Sequence, residues 1–325
     1  MKLRNPIKSI AARLSKDDME LLGIERTMRL AKKFNRARFG RLQRSRVESY
    51  SNEFGQLLTE HANGSMTAPI GKMQDGWLLD TSHSLPHLDE LIADAEIVIA
   101  ERGGQPPTPT GKPFIIDIAQ HKDLDRFPSF LNFALSTPVL KIVSDYLGFV
   151  PVLSTTMPPG LRLTESSDKY DAGAGGPYRE SQLYHLDHHD SPLVYIVVLL
   201  RDVTMQSGPF TFMPLSASDR ATKALRYRAP KAPYRITDEQ MYAVVDKTEA
   251  IPLTGVKGSV LFLDSSRCFH YGSRDCAIPR YQMMYAYVSP CRTDFSDLLM
   301  KPRVYTRRPT DSRLRQMVLA KTYRA

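Results

Sequence analysis

Cysteine is scarce in this chain: of 325 residues only Cys268, Cys276 and Cys291 carry a thiol. An odd count without Cys-x-x-Cys spacing argues against a disulfide framework, and the three read as reduced, structural residues. Long apolar runs are missing too. The stretch Val194–Leu200 falls far short of the ~20 residues that cross a bilayer, so no transmembrane helix is expected. Lys8, Arg13 and Lys16 interrupt any apolar segment near the N-terminus, so no signal-peptide core forms and a cytoplasmic location is expected. No internal repeat or long low-complexity segment is present. A hydrophobic content of 42% with 24% charged residues is that of a globular chain, enough for one large core and an appendage.

Charge is unevenly placed. Residues 1–50 hold fourteen Lys and Arg against five Asp and Glu, an excess equal to the whole-chain net charge of +9, and the remaining residues balance. A basic segment of this kind suits an anionic surface such as phospholipid, nucleic acid or an acidic protein, or else forms a solvated helix face. In the arm, Met19, Leu22, Ile24, Met28, Leu30, Ala31 and Phe34 recur at helical spacing over Asp17–Arg38, with Ser15 as N-cap. The apolar stripe of this helix needs a cover, which favours packing of the arm.

A second helix is expected over Val47–His61, ended by Asn63-Gly64-Ser65. Residues 63–83 read as loop with some extended structure. A helix starting near Ser84 and Pro86 buries Leu88, Leu91, Ile92, Ala95, Val98 and Ile99 and stops at Gly103-Gly104. The Pro-rich stretch to Pro113 is a connector. Helical pattern returns from Ser129 to Leu147, broken at Pro138 and closed by Gly148. Beyond Val150, β-branched and aromatic runs alternate with turn residues. Strands are placed at Val152–Met157, Gln182–Asp187, Val194–Leu200, Phe210–Met213, Ser259–Leu263 and Arg280–Val288. Helices first and strands afterwards predict an α+β chain whose helices brace one face of a sheet sandwich. The boundaries are 1–62 for the basic helical arm, 63–300 for the main domain and 301–325 for a C-terminal helix or tail. The Gly- and Ala-rich loop Glu165–Pro177 is a candidate lid.

The chemistry sits in the β region. In Tyr184-His185-Leu186-Asp187 the His and Asp are two residues apart on a strand and so share a face. A distal His270 follows, and Arg280 begins a strand ten residues later. Two imidazoles and one carboxylate leave three of six positions open on Fe(II), enough for a bidentate 2-oxo acid and for O2. The far carboxylate of such an acid needs a fixed cation, and the planar fork of Arg280 meets it with two parallel hydrogen bonds. A second pair, His188 and Asp190, lies in the opposite parity beside Ser191-Pro192, which favours His185 and Asp187 as ligands. His188 and His189 read first as exposed turn residues, with His188 also a candidate substrate contact. Arg267 either pairs with Asp264 at the surface or lines the mouth of the site as a second candidate substrate contact. His61, His83, His87 and His121 read as surface or core residues, and the alternation Tyr281, Met283, Tyr285, Tyr287 as a core face of the sheet.

From Ser129 to Pro290 the chain resembles the phytanoyl-CoA dioxygenase family of Fe(II)- and 2-oxoglutarate-dependent oxygenases. The resemblance is carried by Asp145-Tyr146-Leu147-Gly148, the His185-Leu186-Asp187 pair, Gly208-Pro209-Phe210-Thr211-Phe212-Met213-Pro214, Gly258 to Asp264, His270 and Arg280. It implies a double-stranded β-helix, a cupin-like jelly roll, with His185, Asp187 and His270 as both metal ligands and catalytic centre. Arg280, and Ser273 in place of a serine usual one position earlier, would hold 2-oxoglutarate. Hydroxylation of an unactivated C–H bond in a small-molecule, acyl or lipid-linked substrate would release succinate and CO2. Asp187 speaks against halide transfer. The rival reading is a non-catalytic barrel that binds a ligand, or that docks on membrane or nucleic acid through its basic arm.

Overall fold

The computed structural model describes residues 6–15, 22–58, 71–107, 112–120, 122–154, 160–229, 232–299 and 308–319. Two antiparallel sheets face each other, and helices brace the outer face of the larger one. Among the described residues the strands are β1 (Trp77–Asp80), β2 (Ile115–Asp117), β3 (Val152–Leu153), β4 (Arg162–Ser166), β5 (Val194–Leu199), β6 (Thr211–Phe212), β7 (Ile251–Pro252), β8 (Val260–Asp264), β9 (His270–Tyr271) and β10 (Arg280–Val288). The large sheet runs β1-β8-β5-β10-β4-β2, with β3 also on β10, and the small one runs β7-β6-β9.

Strand β10 organises the large sheet, and its two faces do different work. Tyr281, Met283, Tyr285 and Tyr287 join the main core with the helices Leu88–Arg102, Ser129–Ala134 and Thr137–Leu147. The alternate residues Arg280, Gln282 and Met284 face the cavity between the sheets. In register, Arg280 lies opposite Ser166, Gln282 opposite Thr164 and Met284 opposite Arg162. Strand β4 therefore floors the same cavity. The Leu88, Leu91, Ile92, Ala95, Val98 and Ile99 stripe is buried as expected, and Gly148 closes its helix at φ 72°.

Several boundaries differ from expectation. Ser15 ends a first helix, α1 (Pro6–Leu14), with its amide and hydroxyl both donating to the Ala11 carbonyl; the residues it was expected to cap lie outside the described ones. Helix α2 runs from Ile24 to Ser49, past Arg38, because no proline interrupts its run of helix-forming Arg and Leu. It therefore already contains Val47, where a separate helix was expected to start, and continues into a π-turn at Tyr50–Phe54. Residues Asp17–Leu21, His61, the Asn63-Gly64-Ser65 stop and His121 lie outside the described residues. The arm stripe is narrower than expected: Met28 and Ala31 are buried, but Leu22 and Leu30 are exposed. Ala11, Leu14 and Ala31 pack against Phe295, and Arg46 donates to the carbonyls of Val150, Pro151 and Met317. Arg26, Arg29, Lys33 and Arg36 stay exposed on the opposite face. The segment expected as strand Gln182–Asp187 is a short 3-10 turn followed by isolated bridges, Tyr184 to Ile236 and His185 to His270. Glu165 and Ser166 belong to β4 rather than to the loop expected there.

Candidate metal centre

Backbone pairing brings the three expected ligands together. The His185 amide donates to the His270 carbonyl at 3.0 Å and the His270 amide donates back at 3.1 Å, while the Asp187 amide reaches Ser265 O at 2.9 Å. The two imidazole centroids are 4.4 Å apart. One ligand atom from each of His185, Asp187 and His270 lies within 4.8 Å of the others, and no other such group of His, Cys, Asp or Glu occurs among the described residues.

Each imidazole is already oriented. His185 Nδ1 lies 2.9 Å from Leu183 O, and His270 Nδ1 lies 3.0 Å from Cys268 O. A carbonyl can only accept, so each Nδ1 is the protonated nitrogen and each Nε2 presents a lone pair, the tautomer that ligates a metal. His270 Nε2 points at Asp187 Oδ2, 3.8 Å away. Burial holds His185 well below the ordinary imidazole value, and the charges of His270 and Arg235 add to it. Burial alone would raise the Asp187 carboxyl, but His270 and His189 outweigh it and keep the group below its ordinary value. Phe210 stacks on His270 at 5.3 Å and screens one side of the site from water. Two neutral imidazoles and an ionised carboxylate fit a divalent transition metal held on one face.

Arg280 lies in the same cavity, which encloses about 900 Å³. It is 2% exposed, and burial lowers its pKa to about 10. Its guanidinium donates to Gly208 O, to Ser166 Oγ at 3.1 Å and to Ser273 Oγ at 3.3 Å, and its Nε has no partner. Among the described residues no carboxylate pairs with it. A buried cation without a counter-charge is costly, and an anionic ligand relieves that cost. Ser273 lines the cavity beside Gly272 and shares a 2.8 Å hydrogen bond with Ser166.

His188 and His189 are not exposed turn residues. Both line the cavity, His188 with Nδ1 3.0 Å from Tyr234 Oη and His189 with Nδ1 2.8 Å from Asp294 Oδ2. Burial, with His189 beside it, pushes His188 down to about 3. Asp190 turns away from the cavity and accepts the Ser191 and Ser289 amides. Arg267 does not reach the cavity: its half-exposed side chain lies 3.9 Å from Asp219. Asp264 is buried and accepts from Tyr146 and Ser266, so neither role proposed for an Arg267–Asp264 couple holds. Sequence reasoning missed Arg162, Gln282, Lys112 and Arg235, all on the cavity wall. The alternation Leu161, Leu163 against Arg162, Thr164, Ser166 was the available signal for the first of these.

No family model matches the sequence, and no curated protein matches it. Solved structures of similar chain path exist. EctD from S. alaskensis, determined with 2-oxoglutarate and 5-hydroxyectoine, is 16% identical with a TM-score of 0.46, covering 69% of this chain and 78% of that one. SnoN, a non-heme alpha-ketoglutarate-dependent epimerase from nogalamycin biosynthesis, is 14% identical with a TM-score of 0.41, covering 66% and 78%. HygX from Streptomyces hygroscopicus, with nickel, 2-oxoglutarate and hygromycin B bound, is 14% identical with a TM-score of 0.39, covering 66% and 83%. The likeness is loose, and the roles of residues in this chain rest on their own geometry.

Proposed function

We propose that the chain is an Fe(II)- and 2-oxoglutarate-dependent oxygenase of the phytanoyl-CoA dioxygenase type. The observation that carries this is one cavity holding both the His185, Asp187, His270 face and a buried Arg280 with no carboxylate partner. The fold is inferred to be a double-stranded β-helix. In support, β4-β10-β5-β8 pair in the large sheet, and the His185 segment, β9, β6 and β7 pair in that order opposite them. Chain order then crosses between the sheets as in a jelly roll.

His185, Asp187 and His270 would hold the iron, and Arg280 with Ser166 and Ser273 would receive the distal carboxylate of 2-oxoglutarate. Iron bound there would bring the co-substrate and O2 together and supply the oxidising power for an unactivated C–H bond. The chain's own work is positional. The Leu183 and Cys268 carbonyls fix the imidazoles, Phe210 excludes water beside His270, and Arg280 sets the depth at which a dicarboxylate stops. His188, which lines the cavity with Nδ1 against Tyr234 Oη, would be a substrate contact rather than a ligand.

The test is iron stoichiometry and iron-dependent succinate release. One Fe(II) per chain is expected, lost in His185→Ala, Asp187→Ala and His270→Ala and retained in Asp190→Ala. Unchanged iron binding in His270→Ala would sink the assignment.

A further inference from the structure

We propose that the substrate carries an oxyanion group, phosphoryl or carboxylate, received by Arg235 and Arg162 with Lys112 in the part of the cavity not served by Arg280. The term substrate here rests on the oxygenase reading; the anion site itself rests on the following geometry.

Alternate residues on a strand are ~6.6 Å apart, so the β4 position facing Met284 lies ~13 Å along the floor from Arg280. That position is Arg162. Its Nε is shut from solvent without a hydrogen-bond partner among the described residues, and the carboxylate of Asp117 stands 3.9 Å off. Arg235 comes from another wall. Its guanidinium lies 4.5 Å from the Tyr234 ring centroid, and its Nε and Nη1 are buried with no partner among the described residues. The backbone on either side of it is pinned: Ile236 makes two hydrogen bonds with Tyr184, and Tyr227 Oη donates to Tyr234 O at 3.0 Å, while Tyr234 Oη donates to Leu186 O at 3.0 Å. Arg235 is thus held against the segment that carries His185 and Asp187.

Lys112 is the third cation, 3.0 Å from Glu180 and 3.2 Å from Ser181. It lines the same cavity as Arg235 and Arg162, and burial lowers its pKa against the pull of Glu180. Asp117 and Asp187 are the only carboxylates on the wall among the described residues. With Asp187 committed to the metal and Arg280 to the co-substrate, three cations face Asp117 and the rim residue Glu180. Planar guanidinium donors without partners match an oxyanion in two-point geometry. The same wall carries Ile116, Tyr195, Phe210 and Met284, with the buried Gln282 Nε2 a donor without a partner among the described residues. A metabolite-sized body with an apolar middle and one anionic end fits this wall.

The experiment titrates inorganic phosphate, and separately acetate, into the full-length protein by calorimetry, with folding of each variant checked by circular dichroism. Saturable binding to the wild type is expected. Arg235→Gln and Arg162→Gln should each weaken it about tenfold or more, the scale of a lost charge-assisted hydrogen bond, with Arg235→Lys between. Arg280→Gln should change it by less than about threefold, as distant sites act independently. Tighter phosphate than acetate identifies a phosphoryl group, and the reverse a carboxylate. Binding lost in Arg280→Gln but kept in the other two, or no saturation by about 10 mM, a free energy under about 3 kcal/mol, overturns the proposal. Phosphate bound through Arg235 by a protein that fails to bind 2-oxoglutarate would instead overturn the oxygenase reading alone.

Discussion

Arg292 and Arg280 are buried alike, 1% and 2% exposed, yet their surroundings are opposite. Arg292 meets Asp294 at 2.8 Å and Asp297 at 3.7 Å, and Asp294 in turn accepts from His189 and Ser296. Asn35 of helix α2 closes the network by donating to the Arg292 and Asp294 carbonyls at 2.8 and 2.9 Å. Arg280 meets one carbonyl and two hydroxyls. Burial is outweighed at Arg292, whose pKa is raised by Asp294 and Asp297, whereas burial lowers Arg280. A cation completed by the protein holds structure; one left incomplete at the wall of a cavity waits for a ligand.

The largest effect should come from breaking the completed side. Asp294→Asn should cost about 3–5 kcal/mol in urea unfolding, because it strips a buried Arg292 of its main partner. Arg280→Gln should leave stability within about 1 kcal/mol or raise it, since it removes a charge the apo protein does not pair. Equal losses would erase the distinction. Asp294 also gives a pH signature. Burial would raise its carboxyl, but Arg292 and His189 hold it well below the ordinary 3.8. A depressed carboxylate contributes stability above its unfolded value and loses it as pH falls, so the wild type should weaken below about pH 4 and Asp294→Asn should lack that slope.

The second effect comes from filling the incomplete side. With the metal site loaded, 2-oxoglutarate at a hundred times its wild-type dissociation constant should add about 2.7 kcal/mol to wild-type unfolding, and no more than about 1 kcal/mol to Arg280→Gln at that concentration. Next, Asn35→Ala should cost about 1–3 kcal/mol by leaving two buried carbonyls short of a donor, with 2-oxoglutarate affinity unmoved. A shift in that affinity would mean the arm reaches into the site through His189. The smallest effect is Arg280→Lys, which keeps the charge but loses the fork and should weaken 2-oxoglutarate about tenfold, or ~1.4 kcal/mol.

The same contrast explains what the sequence made legible. Strand β10 and the Leu88–Ile99 stripe were readable because a buried face imposes a strict period of two or of 3.6. The triad was readable because His185 and Asp187, two apart on an extended segment, share a face, and the distal His270 with Arg280 ten residues later singled that pair out from His188 and Asp190. Strand β4 was not, because the cavity side of it is Arg162, Thr164 and Ser166, which looks like solvent-facing polarity in one dimension. His188 and His189 were misread for a related reason. Their neighbours Tyr234 and Asp294 are 46 and 105 residues away, beyond any local pattern. The arm was half legible: its helix was found, but the hydrogen bonds of Asn35 and Arg46 that bind it to the rest of the molecule connect through carbonyls, which no side-chain pattern encodes.

The most direct test is calorimetric titration of 2-oxoglutarate into anaerobic, Fe(II)-loaded wild type, Arg280→Gln and His270→Ala. Saturable binding to the wild type is expected, weakened at least about thirtyfold, or ~2 kcal/mol, in both variants, because one loses the fork and the other the metal face. Equal affinity in wild type and Arg280→Gln would contradict the account, since the incomplete cation would then have no ligand to explain it.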